Sequence, residues 1–219
     1  MVISSEASAL IAQLRETVLR LEQEKELLEA RCSRIEKDRE HAWYWATRDS
    51  LTGLPSRALF EDRLLLTVKL AERASRRVAV AYLDLDGFKQ LNDHYGHAAG
   101  DELLVRIARR LQQALRETDT VARFGGDEFA LLLEDLDPVV AAEFLRERVH
   151  RSVCAPMELD ATFNGAPVVI RPRVSIGVAL FPDHARSADQ LLKLADQSMY
   201  AAKRAGGGVQ LNGSRPPEK

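Results

Sequence analysis

The sequence predicts an α+β domain, with helices over a central, mostly antiparallel sheet, preceded by one long helix. Three observations carry this. Residues from Ser5 to Arg48 contain no glycine or proline and repeat apolar residues in heptads. From Asp49 onward, apolar runs of strand length alternate with amphipathic helical stretches. The pair Gly125–Gly126 separates two such runs as a hairpin turn would. The expected organisation is a dimerising helix over 1–48, a globular domain over 49–212 and a disordered tail over 213–219.

The heptads have two registers. Leu14, Leu21, Leu28, Ile35 and Ala42 suit d positions; Ile11, Val18, Lys25, Cys32 and Arg39 suit a positions. The stripe is narrower than the face of a helix docked on its own domain. It therefore predicts a parallel homodimer, in which Lys25 and Arg39 cost stability but fix alignment.

Beyond Asp49, "DSLTGLPSR" stops the helix, and "RALFEDRLLLTVKLAERA" reads as the next one. "VAVAYLDLD" is a buried strand and "AAGDELLVRIARRLQQALR" a helix. "TVARF" and "DEFALLLE" form the hairpin, and "PVVAAEFLRERVHRSV" is helical. "MELDATF" and "PVVIRPRVSIGVALF" read as two strands around a turn at "NGA", before the helix "SADQLLKLADQSMYAAKRAG" and a last strand at "VQL".

Bulk properties narrow the function. With 46% hydrophobic and 29% charged residues, the chain reads as soluble and globular. A net charge of −2 gives no general affinity for nucleic acid. The two cysteines, Cys32 and Cys154, match neither metal spacing nor a disulfide framework. No apolar run approaches the roughly 20 residues of a membrane span, and the start lacks the blocks of a signal peptide. A cytoplasmic protein is expected.

The chemistry lies in the acids. Asp84 and Asp86 end the first strand two residues apart, hence on one face. Asp127 and Glu128 open another strand just after Gly125–Gly126. If the strands are neighbours, these carboxylates converge as hard oxygen ligands with positions left for phosphate oxygens, a magnesium site of the nucleotide type. Lys89 could neutralise a phosphate, and Asn92 and Asp101 together offer the acceptor and donors that complement a guanine edge.

Together, "DSLTGLPSR", "DLDGFKQLNDHYGHAAGDELL", "RFGGDEF", "VSIGVALFP" and "ADQSMYAAKRAG" closely resemble the GGDEF family of diguanylate cyclases, over roughly Asp49 to Gly208. The resemblance implies a sandwich like the nucleotidyl cyclase and polymerase palm, and condensation of two GTP into cyclic di-GMP with release of two pyrophosphates. By position, it implies magnesium, or manganese in its place, on Asp84, Asp127 and the Leu85 carbonyl. Glu128 would help activate the 3′-hydroxyl or hold a second metal. Gly125 and Gly126 would admit the nucleotide, Asn92 and Asp101 would bind guanine, and Lys89 and Lys203 would contact phosphates. One GTP per domain requires two domains face to face, which the heptads would supply.

The same resemblance makes Arg116 and Asp119, an Arg-x-x-Asp just upstream of the hairpin, an inhibitory site for the product, completed by Arg146 or Arg148. It also implies an arginine where Gly207 stands; weaker triphosphate binding is expected, with Gly207→Arg lowering the GTP KM. A non-catalytic nucleotide sensor would predict damaged acids, and a pure scaffold would not need Lys89, Asn92 and Asp101; the intact set favours the enzyme.

Overall fold

The structure is a computed structural model that describes residues 5–163 and 166–213. The expected turn at 164–165 and the tail from 214 onward lie outside the described residues. Contacts divide the chain into two compact units, Met1–Ala46 and Thr47–Lys219.

The first unit is a single helix, α1 (Ser5–Ala46), about 63 Å long at 1.5 Å per residue. Its heptad residues Ile11, Leu14, Val18, Leu21, Leu28 and Ile35 are all exposed. No helix among the described residues is long and apolar enough to cross a membrane.

The second unit begins with α2 (Arg57–Ala74), β1 (Val78–Leu85), α3 (Phe88–Tyr95) and α4 (His97–Ala114). The hairpin β2 (Thr120–Gly125) and β3 (Glu128–Glu134) follows. Next comes α5 (Pro138–Phe144), which runs through a π turn (Leu145–His150) into α6 (Arg151–Cys154). The chain then forms β4 (Met157–Phe163), β5 (Ala166–Ile170), β6 (Val174–Phe181), α7 (Ala188–Ala205) and β7 (Gly208–Leu211). The central sheet has the order β2-β3-β1-β6-β7, antiparallel except for the β6–β7 pair.

Helices cover both faces of this sheet. On β1 the even residues Val78, Val80 and Tyr82 pack with Phe60, Leu64 and Val68 of α2 and Leu191, Ala195 and Met199 of α7. The odd residues Ala79, Ala81, Leu83 and Leu85 pack with Leu103, Leu104, Ile107 and Leu111 of α4 and Leu145 of the π turn. Burial on both sides explains why β1 reads as a continuous apolar run.

Two elements differ from expectation. "PVVIRPRVSIGVALF" is two strands: β5 pairs with β4 in a separate ribbon, while β6 joins the central sheet. Pro172 lies in the break, where it has no N–H to give a ladder and its charged neighbours Arg171 and Arg173 favour water. The segment 88–95, to which the sequence reading gave no element, is a short helix, α3, between two glycines of positive φ, Gly87 (φ 79°) and Gly96 (φ 87°).

Candidate active site

The site forms at the end of β1. Register sets Asp84 opposite Glu128 on β3 and Ser175 on β6. Asp84 is 8% exposed, on the sheet face that α2 and α7 cover. Asp127 sits in the turn between the hairpin strands, and its carbonyl accepts the Leu85 N–H at 3.3 Å. The hairpin turns through Gly125 (φ 137°) and Gly126 (φ 51°). A Cβ at either glycine would meet no protein atom within 4 Å, so the turn presents bare backbone to its surroundings.

A close helix–strand approach brings in the cation. A Cβ on Gly177 would lie 1.9 Å from the Met199 nitrogen and 2.1 Å from the Ala195 carbonyl oxygen. Only glycine lets α7 lie so near β6, and in that position Lys203 Nζ donates to Asp84 Oδ1. Burial opposes the charge on Lys203, but the Asp84 bond and the charges of Asp84, Asp127 and Asp86 outweigh it and raise the ammonium pKa. Lys203, expected against phosphate, is thus found on a carboxylate.

Burial, then the charge of Asp84, pushes the Asp127 carboxyl above its ordinary range. Two carboxylates in conflict at a half-buried corner, beside the Leu85 carbonyl, are donors that suit a hard divalent cation with open positions. Among the described residues, no three or more His, Cys, Asp and Glu side chains form a fuller cluster. Glu128 has a partner of its own: Tyr82 Oη donates to its Oε2 at 2.8 Å. The Tyr82 phenol is pushed well above its ordinary pKa, by burial first and then by Glu128. Asp86 accepts from Ser175 Oγ at 2.9 Å.

The nucleobase candidates lie on α3 and α4. Asn92 Oδ1 is buried with no hydrogen-bond partner. Its amide packs over Gly100, where a Cβ would come within 1.8 Å of that oxygen. Asp101 follows Gly100 directly and is exposed, as is Lys89 on α3. A buried orphan acceptor beside an exposed carboxylate is a place for a ligand's N–H groups.

Arg116 and Asp119 form a tight turn before β2: Asp119 Oδ2 accepts the Arg116 N–H at 3.0 Å, and the Arg116 carbonyl accepts the Asp119 N–H at 3.1 Å. The Arg116 side chain is left exposed. Arg146 and Arg148 are exposed on the π turn, between the buried Leu145 and Val149. Arg146 lines a groove with Leu211 of β7, at the far sheet edge from β2. Arg148 stacks over Phe144 at 5.5 Å.

Gly207 does not accept the expected exchange simply. Its φ is +102°, and a Cβ would lie 3.2 Å from Asp86 Oδ2. Gly207→Arg would strain the backbone before its guanidinium reached a phosphate, so a lowered KM is not the expected result.

Three positions that shape this corner carried weaker signals. Tyr82 shares the parity of Asp84 on β1, which alternation alone could have flagged. Gly177 sits inside an apolar strand, a mark of close backbone approach. Arg123 joins Asp49 at 3.0 Å to the Gly126 carbonyl at 2.8 Å, tying "DSLTG" to the hairpin across 74 residues.

Residues 46–208 match the family model described as "Diguanylate cyclase, GGDEF domain". The chain belongs to the GGDEF family. Among its GGDEF relatives, the diguanylate cyclase TpbB of Pseudomonas aeruginosa is 42% identical over 188 residues, 86% of this chain and 41% of TpbB. The chain thus spans about two fifths of that relative's length. MucR of the same species, a bifunctional diguanylate cyclase/cyclic di-GMP phosphodiesterase, is 42% identical over 161 residues, 74% of this chain and 22% of MucR. The solved GGDEF domain of TpbB superposes with a TM-score of 0.69 at 44% identity, covering 75% of this chain and 94% of that one. The coiled coil and GGDEF domain of DgcB from Caulobacter crescentus, in complex with c-di-GMP, gives 0.74 at 27% identity, covering 93% of this chain and 99% of that one.

Proposed function

We propose that the chain is a diguanylate cyclase, condensing two GTP into cyclic di-GMP and two pyrophosphates. The observation that carries this is the corner where Asp84 and Glu128 pair across β1 and β3, with Asp127 in the adjoining glycine turn and Lys203 reaching in from α7. Bound on Asp84, Asp127 and the Leu85 carbonyl, magnesium (or manganese) would supply a Lewis acid that lowers the hydroxyl pKa and takes up phosphate charge. Gly125 and Gly126 leave the hairpin open to the triphosphate. Asn92 Oδ1 accepts from guanine, and Asp101 adds a second acceptor for its N–H groups. Lys89 and Lys203 supply positive charge for the phosphates, and Glu128 assists the attacking 3′-hydroxyl or a second metal. Much of the rate comes from aligning that hydroxyl with the departing pyrophosphate.

Each domain offers one GTP site, so the reaction needs a second copy. The exposed heptad face of α1 fits a parallel homodimer, and tethering would raise the effective concentration of the two halves. The Arg116–Asp119 turn is the proposed product-inhibition site. Arg148 suits it better than Arg146, which faces the β7 edge. A cytoplasmic setting matches the nucleotide substrate.

Nucleotide-free protein incubated with GTP and magnesium should yield cyclic di-GMP by chromatography, and Asp127→Ala should yield none while keeping its oligomeric state. No product from the unaltered chain would overturn the assignment. Leu21→Lys with Leu28→Lys should give a monomer by sedimentation and cut the rate at micromolar enzyme by about 100-fold. A fully active monomer would refute the dimer requirement.

A further inference from the structure

We propose that Tyr82 is a positioning residue that fixes the rotamer of the Glu128 carboxylate, the cross-strand neighbour of Asp84. This rests on the reading of Glu128 as a member of the catalytic set. Tyr82 and Asp84 are two residues apart on β1 and share a face, and Glu128 is the cross-strand partner of Asp84. The phenol therefore lies diagonally from Glu128, within reach of a long side chain. Tyr82 Oη donates to Glu128 Oε2 at 2.8 Å and leaves Oε1 for other work.

The phenol is itself held. Tyr82 is 7% exposed. Its ring meets Phe124 edge-on at 5.4 Å, and Phe124 meets Phe60 edge-on at 5.2 Å. The Arg57 guanidinium lies over the Phe124 ring at 5.3 Å. Phe124 directly precedes Gly125, so this stack also fixes the base of the hairpin. A tyrosine has two side-chain torsions and a glutamate three, so the packed ring is the rigid partner and the carboxylate the one being placed. Without the phenol, Glu128 would be free to leave the rotamer in which Tyr82 holds it. A ring in the apolar layer needs no hydroxyl for packing, and phenylalanine would fill the same volume. Among the described residues the hydroxyl bonds the carboxylate of Glu128, a member of the proposed catalytic set.

The test is Tyr82→Phe in the full chain. The expected result is a fall in kcat of about 10-fold, with the GTP KM and the thermal midpoint nearly unchanged, because misplacement of a reacting group costs rate rather than binding. In a Glu128→Asp background, where the shortened arm no longer reaches the phenol, adding Tyr82→Phe should cost nothing further. A crystal structure of Tyr82→Phe should show the Glu128 carboxylate moved from its present rotamer. An unchanged kcat, or an equal loss in both backgrounds, would overturn the positioning role. A lowered melting point with normal kcat would make the hydroxyl merely structural and overturn it too. Full activity in Glu128→Gln would instead remove Glu128 from the reaction, and the proposal with it. Loss in Glu128→Gln beside a normal Tyr82→Phe would sink the positioning role alone.

Discussion

Arg123 holds Asp49 with Nη1 3.0 Å from each carboxylate oxygen, and turns Nε and Nη2 onto the Gly126 carbonyl at 3.0 and 2.8 Å. One guanidinium thereby joins the turn that opens the GGDEF domain to the turn that carries Asp127. Asp49 Oδ1 also accepts the Thr52 N–H at 2.8 Å and the Thr52 hydroxyl at 2.6 Å, so the carboxylate is fully engaged. The fork geometry suits arginine and would not survive exchange for lysine.

Asp49→Ala should therefore destabilise the domain by about 2 kcal/mol, since it strands a mostly buried guanidinium. Activity should fall with it as Gly126 loosens. The pH dependence has a definite sign. Burial raises the Asp49 pKa, but the bonds from Thr52 and Arg123 outweigh it and leave the folded value below the ordinary 3.8. Its contribution is then present above 3.8 and fades as pH falls through the lower folded value. In acid unfolding followed by circular dichroism, the gap between the native chain and Asp49→Asn should narrow below about pH 4. A constant gap would rule out a titrating contribution.

Asp127 presents the opposite case. Its carboxyl is raised by burial and by Asp84, so its ionised form opposes folding at neutral pH. Asp127→Asn should abolish synthesis yet raise the melting point of metal-free protein by a few degrees. Magnesium should raise the melting point of the native chain and leave that of the variant nearly unmoved. Scanning calorimetry with and without magnesium reads both effects, and a destabilised Asp127→Asn would contradict them.

Gly177→Ala tests how α7 delivers Lys203. The new methyl would fall within 2.1 Å of backbone atoms at Ala195 and Met199, which cannot rotate away. The helix must move off β6, at a cost of about 3 kcal/mol or more, and Lys203 would leave Asp84. Denaturant unfolding should show the loss at an unchanged slope, and activity should fall beyond what the unfolded fraction explains. A variant of native stability would mean that α7 is not seated as described.

Much of this was legible in the sequence because local pattern and tertiary role agree. The parity of Asp84 and Asp86, the glycines before Asp127 and the apolar run of β1 each point to one corner, and the sheet order supplies the neighbour relation they needed. The features that were not legible are pairwise and distant. Nothing near Arg123 names Asp49 as its partner, and nothing near Gly177 names the backbone of α7. Tyr82 reads as an ordinary strand aromatic until the register sets it diagonally from Glu128. The split between β5 and β6 was missed because strand-like apolar runs stand on both sides of Arg171–Pro172–Arg173, although the proline and its charged neighbours end the ladder.

The arginines of the proposed inhibitory site give the last prediction. The turn bonds of Arg116 and Asp119 use their backbone and one carboxylate oxygen, leaving the Arg116 guanidinium exposed for an anionic or guanine partner. Neither Arg116 nor Arg148 belongs to the Asp84–Asp127 corner, so their removal should spare the initial rate. Arg116→Ala should raise the cyclic di-GMP concentration for half-inhibition by at least about 10-fold, the loss expected for one charge-assisted contact. Arg148→Ala should act in the same direction, while Arg146→Ala should leave inhibition unchanged, because that side chain lies toward Leu211 and the β7 edge. Initial rates across a product titration separate the three variants. The reverse ranking of Arg146 and Arg148 would mean that the π turn presents its other flank to the product.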